Sequence, residues 1–147
     1  MIKINPYLNF NGNCLEAFEF YKSVFGGEFP YLSRYKDMPA DPDHPLPKEF
    51  EDRIMHMSLI IEPGNVLMGA DVVEIFGQKP AAFNGNVELM VNAANKAELD
   101  AIWAKLSAGA TVNMPPEEAF WGDYFGALTD KFGVKWMLIC PVHPEQN

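Results

Sequence analysis

The chain has 147 residues, 48% of them hydrophobic and 21% charged, a length and balance that fit one globular domain able to bury its own core. Twenty acidic residues against eleven basic ones leave a formal charge of −9, which repels phosphate backbones and argues against nucleic acid as a partner. Two cysteines with no CxxC motif, and no apolar run long enough for a signal peptide or a membrane span, lead us to expect no membrane association and a reducing, cytoplasmic setting.

Ile2–Phe10 carries β-favouring residues and stops at the turn signal Asn11-Gly12-Asn13. Cys14, Phe18, Tyr21 and Phe25 then recur at helical spacing. Asn13 as N-cap with Glu16 three residues on predicts a capping box, and Gly26-Gly27 stops the helix. Glu28–Tyr35 reads as a strand. Lys36–Arg53 is a long polar loop containing Ala40-Asp41-Pro42-Asp43-His44-Pro45, and such loops in compact domains are functional lids or disordered segments. Ile54–Glu62 alternates, with Ile54, His56, Ser58 and Ile60 on one face and Met55, Met57, Leu59 and Ile61 on the face expected to meet a helix. Glu62-Pro63-Gly64-Asn65 makes a turn, and Val66–Ala70 a short apolar strand.

The second half repeats this order. Val87–Val91 is a strand; Asn95 with Glu98 is another candidate capping box; Leu99, Ile102, Trp103 and Leu106 form a helical stripe ended by Gly109. Thr111–Glu118, Tyr124–Thr129 and Lys135–Cys140 supply three more strands, the last two joined by Asp130-Lys131-Phe132-Gly133. Phe18 and Leu99, Tyr21 and Ile102, and Phe25 and Leu106 are each 81 residues apart. Strands joined by short turns must pair antiparallel, so the pattern predicts an α+β fold of two βαβββ modules. Each is a curved, mostly antiparallel sheet with a helix on its convex face: module one at about 1–72, a linker at about 73–84 and module two at about 85–141, within a single domain spanning 1–147.

The opening Pro6-Tyr7-Leu8-Asn9-Phe10-Asn11-Gly12-Asn13 with Glu16-Ala17 and Phe20-Tyr21 resembles that of PhnB-like proteins, a branch of the vicinal-oxygen-chelate (glyoxalase/bleomycin-resistance/dioxygenase) superfamily. So do Phe120-Trp121-Gly122, Phe125-Gly126, Thr129-Asp130, Phe132-Gly133-Val134 and Trp136 near the C-terminus, and His56 and Met68–Asp71 between them. The resemblance implies a homodimer of paired modules with a pocket in each sheet's concave face. Some members carry a methyltransferase name, but this chain has no glycine-rich strand-to-helix turn of the methyl-donor type. The wider superfamily binds a divalent metal through four His, Glu or Gln side chains on the first, fourth, fifth and eighth strands. By position these correspond to Asn5, Ala70 (or Asp71), Asn86 and Met137, a set poor in imidazole and carboxylate, so no metal or other cofactor is expected.

His56 is the leading ionisable candidate, either a proton carrier and hydrogen-bond donor in a cavity or a histidine satisfied by neighbouring strands. Asp71 either orients His56 or caps the turn into Val72. Glu88 is either a buried functional carboxylate or a surface acid. Asn5, Tyr7 and Asn9 share one strand face and can line a pocket together with Ser58, Asn86 and Met137; Trp121 and Tyr124 can close over a ligand or lock a dimer seam. Trp136 reads as core. His44, beside Asp41 and Asp43, reads as part of a solvated charge run, and His143 as tail.

Three functions follow: a metal-independent pocket, in a homodimer, for an unidentified small molecule; an enzyme (lyase, isomerase or transferase) using His56 with Asp71 or Glu88 as acid and base; or a protein interaction module.

Overall fold

In residues 1–82, the first of two units, strand β1 (Tyr7–Phe10) leads into helix α1 (Cys14–Phe25), followed by β2 (Glu28–Arg34), β3 (Ile54–Glu62) and β4 (Asn65–Asp71). The computed structural model describes residues 1–74, 77–82 and 86–142, so parts of the expected linker (75–76 and 83–84), residue 85 and His143 lie outside the described residues. The sheet order is β1-β4-β3-β2, with β1 parallel to β4 and the other pairs antiparallel, as short connections require.

One face of this sheet takes α1. Phe18, Tyr21, Met57, Leu59, Leu67 and Phe10 are buried there, each fully buried side chain contributing about 1.5–3 kcal/mol of transfer free energy. Phe18 comes so close that a Cβ on Gly69 would sit 2.6 Å from its ring, which is why β4 has a glycine at that rung. The other face carries Tyr7, Met68, Ser58 and Tyr31 on one rung crossing all four strands.

The predicted capping box at the start of α1 is not formed. Asn13 (φ −114°, ψ 23°) makes no side-chain capping bond. Instead Asp71, at the far end of β4, accepts from the N–H groups of Gly12 (2.8 Å) and Cys14 (3.0 Å). A buried carboxylate is a stronger acceptor than an amide, and it suits the positive end of the helix dipole.

Residues 83–147 form the second unit: β5 (Leu89–Asn92), α2 (Lys96–Leu106), β6 (Thr111–Glu118), β7 (Asp123–Thr129) and β8 (Lys135–Pro141), in sheet order β5-β8-β7-β6. Here the Asn95 side chain does cap its helix, accepting from Glu98 N–H at 2.9 Å. Leu99, Leu106, Leu128, Trp136 and Leu138 make the core. Trp103 approaches the sheet over Gly126, as Phe18 does over Gly69, but on a different strand. The rung equivalent to that of the first sheet reads Met90, Met137, Ala127, Met114.

Strand bounds differ from expectation mainly at β1 and β5, which start at Tyr7 and Leu89; ahead of β1, Pro6 C=O still accepts from Met68 N–H at 3.2 Å. The long loop is not featureless: 3₁₀ turns occupy Tyr35–Asp37 and Lys48–Phe50. Both β2 and β6 are sheet edges, and one irregularity in each spans proline (Pro30 between Glu28 and Tyr31; Pro115 and Pro116 between Met114 and Glu117), which cannot donate to a ladder.

Candidate functional site

The open face of the first sheet brings together the polar groups with the most chemistry. Tyr7 Oη lies 2.9 Å from His56 Nδ1, and their rings stack at 5.5 Å and 26°. Tyr31, reaching in from β2, places its ring 5.5 Å from the same imidazole. Strands β1 and β3 are separated by β4, hence about 9.6 Å apart at the usual spacing, so Tyr7 must lean across its neighbour to reach His56. Ser58 and Met68 complete the surface between the two tyrosines. Tyr7 and Tyr31 remain 44% and 51% exposed, so the cluster is accessible to a ligand.

Partial burial, with a smaller contribution from Cys14, holds the Tyr7 phenol above its ordinary pKa, so it keeps its proton near neutrality. When that proton is donated to Nδ1, the imidazole carries its own on Nε2, leaving a donor for a bound molecule. His56 lies on the face opposite α1, as the alternation of its strand predicts.

Asp71 does not join His56. It is 1% exposed; Oδ1 accepts from Gly12 and Cys14, and Oδ2 accepts from Ile54 N–H at 2.9 Å. Its main-chain carbonyl takes the Tyr35 hydroxyl at 2.7 Å. Asp71 therefore ties the end of β4 to the start of α1 and to β3. Asn9 stands beside Ala70 on the open side, and Asn5 precedes β1.

The remaining candidates belong to the second unit. Asn86 and Glu88 are exposed and precede β5. Met137 pairs with Met90 on the open face of its own sheet. Trp121 is half exposed in the turn before β7, edge-on to Phe120 and Phe125. Tyr124 points to the helix side: its hydroxyl donates to Asp100 at 3.1 Å, and Lys96 Nζ sits 4.7 Å over its ring. Trp136 is core, its indole N–H donating to Asp130 at 2.8 Å. Sequence reasoning missed Asp130, whose Oδ1 also accepts from Phe132 and Val134, although Asp in a turn before glycine is a signal for such a role. It also missed Tyr31, which strand alternation places with Ser33 on the side of His56.

In the long loop, Asp41 accepts from Asp43 N–H at 2.9 Å and meets His44 Nδ1 at 3.0 Å. Among the described residues no group of three or more His, Cys, Asp or Glu side chains is placed to hold a metal ion, and no helix is long and apolar enough to cross a membrane.

Comparison with known proteins agrees with this architecture. The chain is similar to YjdN of Escherichia coli, 29% identical over 92% of each chain. It is similar to the crystal structure of PA1353 from Pseudomonas aeruginosa, 34% identical with a TM-score of 0.83, covering 97% of this chain and all of that one. A Bacillus cereus structure described as a putative 3-demethylubiquinone-9 3-methyltransferase, PhnB protein, is 28% identical with a TM-score of 0.74, covering 95% and 99%. The glyoxylase/bleomycin resistance protein/dioxygenase domain from Frankia, 12% identical with a TM-score of 0.66 and covering 100% and 96%, shares the fold. The family model described as 3-demethylubiquinone-9 3-methyltransferase matches residues 2–139, and with it the chain belongs to the PhnB-like family of the glyoxalase/bleomycin-resistance/dioxygenase fold.

Proposed function

We propose that this protein is a homodimer that binds a small molecule on the open face of its first sheet, without the superfamily's divalent ion. The observation that carries the reading is the Tyr7–His56 hydrogen bond, flanked by Tyr31, on an accessible sheet surface. Aromatic walls with a few placed polar groups are what small-molecule sites are made of.

The donor set supports metal independence. A divalent ion ordinarily needs three imidazole, carboxylate or thiolate ligands, whereas the family positions hold two amides (Asn5, Asn86), a methyl (Ala70) and a thioether (Met137). The carboxylate nearest the fourth-strand position, Asp71, is already bound to three N–H groups. These residues do not fit the ion. Exposed Ile60, Met90, Val112 and Met114 on the sheets favour association with a second copy. The methyltransferase named by the family description finds less support: the first strand-to-helix turn, Asn11-Gly12-Asn13, has one glycine, and the helix N-terminus behind it is closed by Asp71.

The test is a thermal-shift screen of cationic and neutral aromatic compounds, with sedimentation to read the dimer. A saturable hit should bind roughly two- to tenfold more weakly to His56→Gln and Tyr7→Phe, one hydrogen bond being worth about 0.5–1.5 kcal/mol. No saturable hit, or hits indifferent to both substitutions, would overturn it. The same pair favours a second reading, an enzyme in which His56 moves a proton with Tyr7 as its partner in place of Asp71 or Glu88. That reading requires a bound compound to be chemically altered, and the alteration to vanish in His56→Gln.

A further inference from the structure

The loop between β2 and β3 has a built neck and an unfilled interior. At the neck, Tyr35 N–H donates to Arg53 C=O (3.1 Å), Lys36 N–H to Glu51 C=O (3.0 Å), and Arg34 Nη1 to Asp52 C=O (2.7 Å). Lys36 Nζ pairs with the Asp52 carboxylate at 2.7 Å. Loops closed in this way usually pack their own side chains inside. This one instead leaves a half-open cleft of about 660 Å³ walled by Met38, Leu46 and three prolines (Pro39, Pro42, Pro45). That volume falls within the roughly 300–1,000 Å³ typical of small-ligand sites.

Charge decides what such a cleft prefers. Residues 36–53 hold six acidic side chains against three basic ones. Two of the acids, Asp41 and Glu51, line the cleft. The lining Lys36 is neutralised by Asp52, while Glu51 has no ion-pair partner among the described residues. Asp41 is held in place by Asp43 N–H, and His44 rests against it as part of the wall. Prolines fix their φ, so little loop entropy is lost when a guest enters.

We propose that this cleft is a second binding site, separate from the sheet face, for a small amphipathic monocation whose aryl or short alkyl body meets the Met-Leu-Pro wall and whose ammonium meets Glu51 and Asp41. It stands independently of the sheet-face reading, because none of its lining residues belongs to the Tyr7–His56 cluster.

The experiment titrates ¹⁵N-labelled protein with 2-phenylethylamine, 2-phenylethanol and phenylacetate. Saturable amide shifts confined to residues 36–51, with the amine about fivefold or more tighter than the alcohol and the acetate weakest, is the expected result. Glu51→Gln should bring the amine to the level of the alcohol, and Ala40→Trp, which fills the cleft, should abolish binding. Equal response to all three compounds, no response, or shifts around Tyr7 and His56 alone overturns the proposal; the last outcome would leave the sheet-face reading standing. The three-compound comparison on the parent protein decides the matter even if a variant fails to fold.

Discussion

Replacing Asp71 by alanine removes the acceptor for three backbone N–H groups at once: Gly12, Cys14 and Ile54. A hydrogen bond to a charged group contributes about 1.5–3 kcal/mol, and a buried donor left without a partner forfeits that and more. Gly12 is exposed enough for water to take over, whereas Cys14 and Ile54 are buried. Two such losses, with the helix N-terminus left uncapped, amount to about 4 kcal/mol, a large share of the 5–15 kcal/mol usual for a domain. At about 2–4 °C per kcal/mol for a chain of this size, Tm should fall by roughly 8–16 °C. Asp71→Asn should cost about half as much, because one oxygen can still serve Gly12 and Cys14 while the amide N–H₂ confronts the Ile54 donor. Urea unfolding followed by tryptophan fluorescence and far-UV circular dichroism reads both values. A loss below about 1 kcal/mol for the alanine variant would refute the argument. Ligand affinity per folded molecule should stay unchanged, since neither carboxylate oxygen touches the Tyr7–His56 pair.

Gly69→Ala should destabilise by about 1–3 kcal/mol, because its Cβ would lie 2.6 Å from the Phe18 ring and 2.9 Å from Leu8 C=O; an unchanged Tm would show that the helix can retreat freely. Cys14 is fully buried, and burial first, then the Asp71 carboxylate, pushes its thiol well above the ordinary range; Cys140 is likewise raised by burial. Neither thiol should react with a disulfide reagent in native protein at about pH 8, and both should react in denaturant. Asp52 is held below its usual value of 3.8, first by the hydrogen bond from Lys36 and then by its charge. A depressed carboxylate contributes stability above 3.8 that is lost as pH falls through the lower folded value. Amide exchange at Tyr35 and Lys36, corrected for intrinsic rates, should therefore show less protection as pH drops from about 5 to about 2.5. Lys36→Met should remove that dependence, and its persistence in the variant would assign it elsewhere.

How much of the site was legible depends on how far apart its parts lie in the chain. Alternation in Ile54–Glu62 placed His56 opposite the methionine face with no knowledge of its neighbours, and Tyr7 was recognised from its strand. Their contact spans 49 residues and needs β4 between them, so no local pattern contained it. Asp71 was singled out for its position after an apolar strand, with orienting His56 and capping the turn into Val72 both left open; its carboxylate instead holds the N–H groups of Gly12, Cys14 and Ile54. Whether it served His56 or a helix turned on where α1 begins relative to the end of β4. Tyr124 was assigned to a pocket from its place near a turn, but register with Cys140 sends it to the helix side, where Asp100 and Lys96 hold it.

By itself, the amino-acid order determined the elements, their duplication and the buried face of β3, because these follow from periodicities of two and 3.6 residues and from turn chemistry acting within a few positions. Tertiary structure alone decided which side chains meet across strands. Strand register is a long-range choice, a shift of one residue sends every side chain to the opposite face, and only the closed ladder selects among the alternatives.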